Sequence, residues 1–423
     1  MICYAEQLFS LVVMSIPLPA ARICLLDLDT FFVSVERILN PDLIGKPVVV
    51  GGKRGSRGVV TAASYEVRPF GVRSGISMAE ADRLAPPEAI FIPSTRGVYS
   101  DYAQKVRDIA QDFTPQTRVA SIDEMYLDFN GCERLYKRPV DDDDDATIER
   151  VCWEMTGRIQ QELGLPSSCG IGSCRTVAKV ASGVAKPAGV RLVPAGTEAD
   201  FLGPLPVRKL PGIGPKAEER LHAIGITTLA EVASSPVERL KPIFGSRSQD
   251  MRLRAMGFGK TSLGRERPAF REHDPVGGSV GSISNERTFA EDISDVHDVE
   301  SRICGLVERV CWRARKRQVK ARTVTLKLRY NDFETLSRSR TVEPTHSEAD
   351  LLPVVLELYR KLRSRKKRVR LVGIKLSNLG TFGKQLELFD ERARLHRSVD
   401  DIRKRFGFDA VGAAASKGSQ KKR

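Results

Sequence analysis

Ile23-Cys24-Leu25-Leu26-Asp27-Leu28-Asp29-Thr30-Phe31-Phe32 decides the fold, because an apolar run ends there in two acids followed by two aromatic rings. Ile23 to Leu28 reads as a buried strand, and Phe31 to Leu39, halted before Pro41, reads as a helix. Far downstream, Ser121-Ile122-Asp123-Glu124 repeats the pattern behind apolar, β-branched residues. Asp27, Asp123 and Glu124 are therefore expected at the strand ends of a sheet that gathers remote segments. Such a group suits hard divalent cations. Adjacent residues on a regular strand face opposite sides, so for Asp123 and Glu124 to share an ion there must be a turn or a strand end between them. Clustered carboxylates repel one another unless cations lie between them, and ion pairs about 3.5–4 Å apart meet that need in phosphoryl and nucleotidyl transfer. Taken alone, either acidic cluster reads equally well as a solvated turn.

The 423 residues exceed one compact domain and suggest two to four units. A balance of 68 Lys+Arg against 53 Asp+Glu leaves +15, which favours a polyanionic partner, nucleic acid first and an anionic membrane second. The eight cysteines form no CxxC pair and the five histidines lack metal spacing, so the thiols read as reduced and buried in a cytoplasmic protein. Met1 to Ala20 is mildly apolar but interrupted by Glu6, without a basic lead and too short to span a bilayer. It reads as an extension outside the fold, with Met14 as an alternative start.

Along the chain, Lys46 to Pro93 makes a small unit with a strand Pro47 to Gly51 and an apolar run Val59 to Ala63. Strand and helix alternation resumes from Arg96 to Pro187. Within it, Asp141 to Asp145 reads as a solvated acidic loop with no chemistry. Residues from Gly189 to Gly259 turn helical, Lys260 to Pro275 is a charged linker, and Val276 to Asp390 alternates helix and strand in an α+β manner. Helices Val299 to Arg317 and Ser347 to Arg363 and strands Thr323 to Tyr330 and Val369 to Leu376 are expected there. Ten Lys/Arg and the single acid Glu308 between Arg302 and Arg329 suit a phosphate backbone. Glu391 to Arg423 reads as a disordered basic tail.

Leu210-Pro211-Gly212-Ile213-Gly214-Pro215-Lys216, continuing to Gly225-Ile226, has the pattern of a helix-hairpin-helix. Gly212 and Gly214 allow a tight turn that aims N–H groups at a phosphate, Pro215 suits a first helical position, and Gly225 can end that helix. Contact of this kind carries no base sequence information.

With these motifs in this order, the chain from Ala21 to Asp390 resembles the Y-family translesion DNA polymerases, most closely their bacterial members. The resemblance implies an α+β multidomain right hand: a ferredoxin-like palm (21–40 and 94–187), small fingers (41–93), a helical thumb with the helix-hairpin-helix (188–259), a linker (260–275) and an α+β little finger (276–390). It implies template-directed, low-fidelity DNA synthesis past damage. Asp27, Asp123 and Glu124 match the family's catalytic carboxylates, holding two Mg²⁺ with the Leu28 carbonyl, while Asp29 matches an acid that is not a direct ligand. Phe32 matches the steric gate against a ribose 2′-hydroxyl, and Phe31 is left as a core aromatic. Tyr65, Arg68 and Lys186 match residues that grip the triphosphate, and Gly212, Gly214 and Lys216 fall on the DNA-backbone contact.

Gln385, Leu386, Leu388 and Phe389, within Gln385-Leu386-Glu387-Leu388-Phe389, resemble the peptide that docks on the sliding clamp, the β subunit of the replicative polymerase; the same pentapeptide also reads as a last edge strand. The implied partners are primer-template DNA, dNTPs and that clamp, with no membrane, for a monomer in the bacterial cytoplasm at the nucleoid. Two departures stand out. Ala62 replaces a threonine common three residues before the tyrosine, with Thr61 one place earlier, and Pro69 biases Arg68 away from a helix. Rival readings are a non-catalytic accessory protein of the same architecture, which would have lost carboxylates, and a helix-hairpin-helix repair nuclease, which would lack the triphosphate grip.

Overall fold

The structure, a computed structural model, describes residues 22–95, 97–264, 281–364, 366–381 and 391–413. The extension Met1 to Ala20, most of the linker, the segment Gln385 to Phe389 and the end of the tail lie outside the described residues. The chain divides into two compact units, one largely from residues up to 264 and one largely from 281 onward.

In the first unit, β1 (Ile23–Leu28) is buried along its whole length, as befits a central strand covered on both faces. Cys24, Leu26 and Leu28 enter one core with Phe31, Tyr99 and Met155, whereas Ile23 and Leu25 enter another with Tyr126 and Ala178. α1 (Phe31–Leu39) follows. β2 (Val48–Val50), β3 (Ala62–Ala63) and β4 (Ile90–Ile92) form a small sheet with α2 (Met78–Leu84) packed on it. The main sheet is completed by α3 (Val98–Phe113), β5 (Thr117–Val119), β6 (Glu124–Asp128), α4 (Asp144–Leu163), β7 (Ser167–Gly172), α5 (Arg175–Ala185) and β8 (Val190–Leu192).

Its order is β5-β6-β1-β7-β8, with β1 antiparallel to both neighbours and β8 parallel to β7. Without β8, the order β5-β6-β1-β7 is the ferredoxin-like order expected of a palm. Gly170 on β7 lets α5 close onto the sheet, since a Cβ there would lie 2.1 Å from the Ser182 amide nitrogen. The thumb helices α6 (Pro215–Ala223), α7 (Leu229–Ser234), α8 (Val237–Phe244) and α9 (Ser248–Ala255) enclose Leu210, Leu221, Leu229, Leu240 and Met251.

The second unit runs β9 (Ser282–Ile293), α10 (Val296–Lys316), β10 (Lys320–Tyr330), β11 (Thr335–Thr345), α11 (Glu348–Leu362) and β12 (Val369–Gly380). The sheet order is β11-β10-β12-β9, all antiparallel. α10 and α11 pack on one face, around Val307, Val324, Leu326 and Tyr359. The other face carries Lys327, Arg329 and the hydroxyl pair Thr325–Ser339, whose oxygens are 2.9 Å apart.

Four expectations are corrected. Strand β9 was not read from the sequence, because only Ile283 and Phe289 of its residues are buried and no alternation marks it. The stretch expected as a disordered tail instead forms α12 (Glu391–Phe406). This helix turns charge inward. Arg403 donates to Glu308 Oε2 at 2.8 Å and Arg315 is gripped by Asp400 and Glu348, while Leu395 and Phe406 stay exposed. The basic stretch Arg302 to Arg329 is therefore partly neutralised from within, by those acids and by Asp409 against Arg309. The acidic run is anchored too: Asp141 accepts from Arg150 Nε at 2.8 Å, which holds its carboxyl well below the usual range, and Asp143 caps α4 through the Ala146 amide at 2.7 Å.

Candidate active site

The strand register β1–β6 pairs Asp27 with Glu124, so two acids from remote segments stand at one end of the sheet. Asp123 lies in the turn just before β6, where its carbonyl accepts from the Leu28 amide at 2.9 Å and its carboxylate accepts from Ser121 Oγ at 2.5 Å. The strand end that two adjacent ligands require is thus present. Asp27 is buried, and Glu124 and Asp123 are partly so.

Two lysines neutralise this acid cluster. Lys179 on α5 contacts Glu124 and lies 3.3 Å from Asp27 Oδ2, and Lys186, just past the helix, contacts Asp27 and lies 3.3 Å from Asp29 Oδ1. Burial pushes Glu124 above the usual carboxylate range, with Asp27 and Asp123 adding to the push and Lys179 opposing it. Burial, the largest single influence, pulls both ammonium groups down, but the neighbouring acids together, Asp27 and Glu124 for Lys179 and Asp27 and Asp29 for Lys186, hold them above the usual lysine range. Asp29 is wholly buried and takes a structural part, its Oδ2 accepting from Ser168 Oγ at 2.8 Å and the Ala188 amide at 2.7 Å.

A cavity of about 530 Å³ opens beside these acids, lined among others by Leu28, Phe32, Thr61, Arg68, Asp123 and Lys186. Tyr65 and Arg68 lie on a 3₁₀ turn, Tyr65–Phe70, with the guanidinium 4.3 Å from the Tyr65 ring centroid. Pro69 is accommodated there because a 3₁₀ turn tolerates its fixed φ. Burial, with the charge of Asp29, pushes the Tyr65 phenol up, and its hydroxyl is buried without a hydrogen-bond partner among the described residues. Thr61 lines the cavity alongside Ala62, so a hydroxyl is present one place before the expected one.

Phe31 and Phe32 differ in burial. Both rings line the cavity; Phe31 is buried in the core of the main sheet, and Phe32 is half-buried and stacks on Tyr99, centroids 4.1 Å apart at 24°. Tyr99 is fixed in turn: its hydroxyl donates to Glu36 and accepts from the Thr95 amide at 3.0 Å. Burial and Glu36 push its phenol to about 12. Sequence reading missed Lys179 and Tyr99. No local signal marked Lys179, whose acidic partners stand on β1 and β6.

In the thumb, Gly212 sits at φ +102°, which only glycine adopts readily, and Gly225 at φ +76° ends α6. Gly214 has extended backbone instead, so its glycine is not required by conformation. Pro215 opens α6, and Gly212, Gly214 and Lys216 are all exposed. No helix among the described residues is long and apolar enough to cross a membrane.

Comparison with known proteins then decides the lineage. Residues 26–183 match the impB/mucB/samB family, 280–388 its C-terminal domain and 196–226 the IMS family HHH motif. This chain belongs to the impB/mucB/samB family. DNA polymerase IV of Dehalococcoides mccartyi is 37% identical over 395 residues, covering 92% of this chain and 96% of the relative. DNA polymerase IV of Opitutus terrae is 35% identical over 392 residues, covering 91% and 94%. A solved Y-family DNA polymerase chimera aligns at TM-score 0.69 and 25% identity, covering 84% of this chain and 98% of that one. The fold of an insertion ternary complex of Dbh DNA polymerase aligns at TM-score 0.55 with the same coverage.

As an impB/mucB/samB member with a Y-family fold, the chain is of a class that uses divalent cations in nucleotidyl transfer. Its donor set fits a hard cation: the acids at this site offer carboxylate oxygen, with no thiol or imidazole among them.

Proposed function

We propose that this chain is a template-directed DNA polymerase that copies past damage, transferring a nucleotide from a dNTP to a primer 3′-hydroxyl. The observation that carries this is a cavity lined by Asp123, Arg68 and Lys186, with Asp27 in contact with Lys186 and Glu124 paired beside Asp27 across the strands. Asp27, Asp123, Glu124 and the Leu28 carbonyl would hold two Mg²⁺, which when bound supply charge neutralisation and an activated primer hydroxyl. The remaining work belongs to the protein's own side chains. Arg68 and Lys186 bring fixed positive charge to the triphosphate, Arg68 through its forked donors. The Tyr65 hydroxyl, buried and without a hydrogen-bond partner among the described residues, would donate to a phosphate oxygen. Phe32, braced by Tyr99, closes the space that a ribose 2′-hydroxyl would need.

The exposed Gly212–Lys216 loop contacts the DNA backbone by its amides and the Lys216 charge. Gln385, Leu386, Leu388 and Phe389 are assigned to the sliding clamp, on which a few buried apolar anchors suffice. The polymerase acts as a monomer in the cytoplasm, at the nucleoid. A non-catalytic accessory role is not favoured, because all three carboxylates are retained with their counter-charges.

The decisive assay is primer extension with Mg²⁺ on intact and abasic templates. Wild type extends both and Asp123→Ala extends neither; extension by Asp123→Ala, or strand cleavage in place of extension, rejects the reading.

A further inference from the structure

Beneath the catalytic strands the palm core holds a group that the polymerase reaction does not use. Cys24 on β1, Cys169 on β7 and Cys152 on α4 are wholly buried, and their sulfurs lie within 4.8 Å of one another, Cys24 and Cys152 at 3.7 Å. A central atom bonded to three sulfurs at about 2.3 Å sets them at most about 4 Å apart, so one pair already has the spacing and the third sulfur must be drawn in toward it. The three come from three different elements, which the fold, not local sequence, brings together. Contact with the other two thiols holds Cys152 below the usual thiol range, whereas contact with Cys152 together with burial pushes Cys24 and Cys169 up.

Charge selects the ligand. The core around the thiols is apolar, formed by Leu26, Met155, Ile148 and Ile171. A divalent ion on three thiolates would leave a net negative charge buried in that apolar core, which is costly. A trivalent centre leaves none.

We infer that Cys24, Cys152 and Cys169 form a binding site for a trivalent thiophilic oxyacid, of which arsenite is the type. The step balances without redox change: three S–H bonds and three As–OH bonds break, three As–S bonds form, and three waters leave. All three thiols are sealed from solvent, so loading proceeds through transient opening of the palm and is slow. Occupancy also reaches the chemistry. Cys24 shares β1 with Asp27, and Cys169 adjoins Ser168, which donates to Asp29 at 2.8 Å. Drawing the sulfurs together shifts the strands that set the carboxylates.

The test incubates the reduced full-length chain with arsenite, removes the excess, and measures bound arsenic by intact mass and sulfur coordination by X-ray absorption. Expected are one arsenic per chain bound to three sulfurs, a tryptic digest that tethers the peptides of Cys24, Cys152 and Cys169, and primer extension that falls several-fold as arsenic loads. Cys152→Ala should lose uptake and keep extension in arsenite, while Cys304→Ala takes up arsenic like wild type. The digest reads the wild-type chain, so the result stands even if Cys152→Ala folds poorly. The inference is overturned by no stoichiometric arsenic, by tethering of other cysteines, or by Cd²⁺ occupying the three thiols where arsenite does not.

Discussion

At the scale of single residues, the site is an acid cluster held by its own lysines, and each lysine competes with any cation the acids would bind. Lys179 sits against Asp27 and Glu124. Lys179→Met removes that competitor without adding charge, so the Mg²⁺ concentration for half-maximal primer extension should drop several-fold. A requirement that rises instead would make Lys179 a substrate contact. Phe32 offers a second prediction, because its position depends on Tyr99 in two separable ways. Tyr99→Phe keeps the stacking and deletes the hydroxyl that bonds Glu36 and Thr95. It should cost about 1–3 kcal/mol of stability, since Glu36 is left buried with a poorer partner, while discrimination against ribonucleotides is kept. Tyr99→Leu removes the stack as well and should raise ribonucleotide incorporation toward the level of Phe32→Ala. Single-nucleotide incorporation of dNTP against rNTP, beside thermal melts, separates the two.

At the scale of elements, the helix following the hairpin shows how a cap couples structure to pH. Thr228 and Glu231 form a reciprocal capping box on α7, with Glu231 accepting from the Thr227 amide at 2.6 Å and the Thr228 amide at 2.9 Å. Those amide bonds lower the Glu231 carboxyl from its ordinary 4.5 to about 2. Its folded pKa lies below the unfolded one, so its contribution is complete above pH 4.5 and fades as pH falls toward 2. Thr228→Ala should cost about 1 kcal/mol at neutral pH. Glu231→Gln should melt below wild type at neutral pH, with the gap closing on acidification; a gap independent of pH would remove the carboxylate from the account. What was legible in the sequence follows the same physics. β1 and α1 match their expected bounds because every residue of the strand is apolar or ends in the acid pair, and Pro41 stops the helix. α6 was legible from Pro215 and Gly225, which act locally. β9 and α12 were not: β9 shows no alternation and is fixed by its ladder to β12, while α12 spaces Leu395, Val399, Ile402 and Phe406 helically within a heavily charged segment, leaves Leu395, Ile402 and Phe406 exposed, and is held by ion pairs to partners far along the chain. Lys179 was missed because its partners are gathered only by the sheet.

At the scale of the whole molecule, separate cores give separate stabilities. The palm and thumb cores share no residue with the core around Val307 and Leu326, so calorimetry of the full chain should resolve two unfolding transitions. Arg403 assigns them. It joins α12 to α10 through Glu308, both side chains being almost sealed from water, and the Ala413 amide donates to the other Glu308 oxygen at 3.0 Å. Arg403→Ala leaves Glu308 buried and short of a counter-charge, which costs about 3 kcal/mol and should lower the transition of the second unit by about 10 °C, leaving the other in place. Joint replacement, Arg403→Met with Glu308→Leu, removes the stranded charge as well and should recover most of that loss, because the penalty lies in breaking the pair rather than in lacking it. If Arg403→Ala moved both transitions together, the two units would be unfolding as one. If the double variant stayed as low as the single, α12 would be held by its shape and by the Arg403–Phe408 contact, where the guanidinium lies 4.3 Å from the ring centroid, rather than by charge.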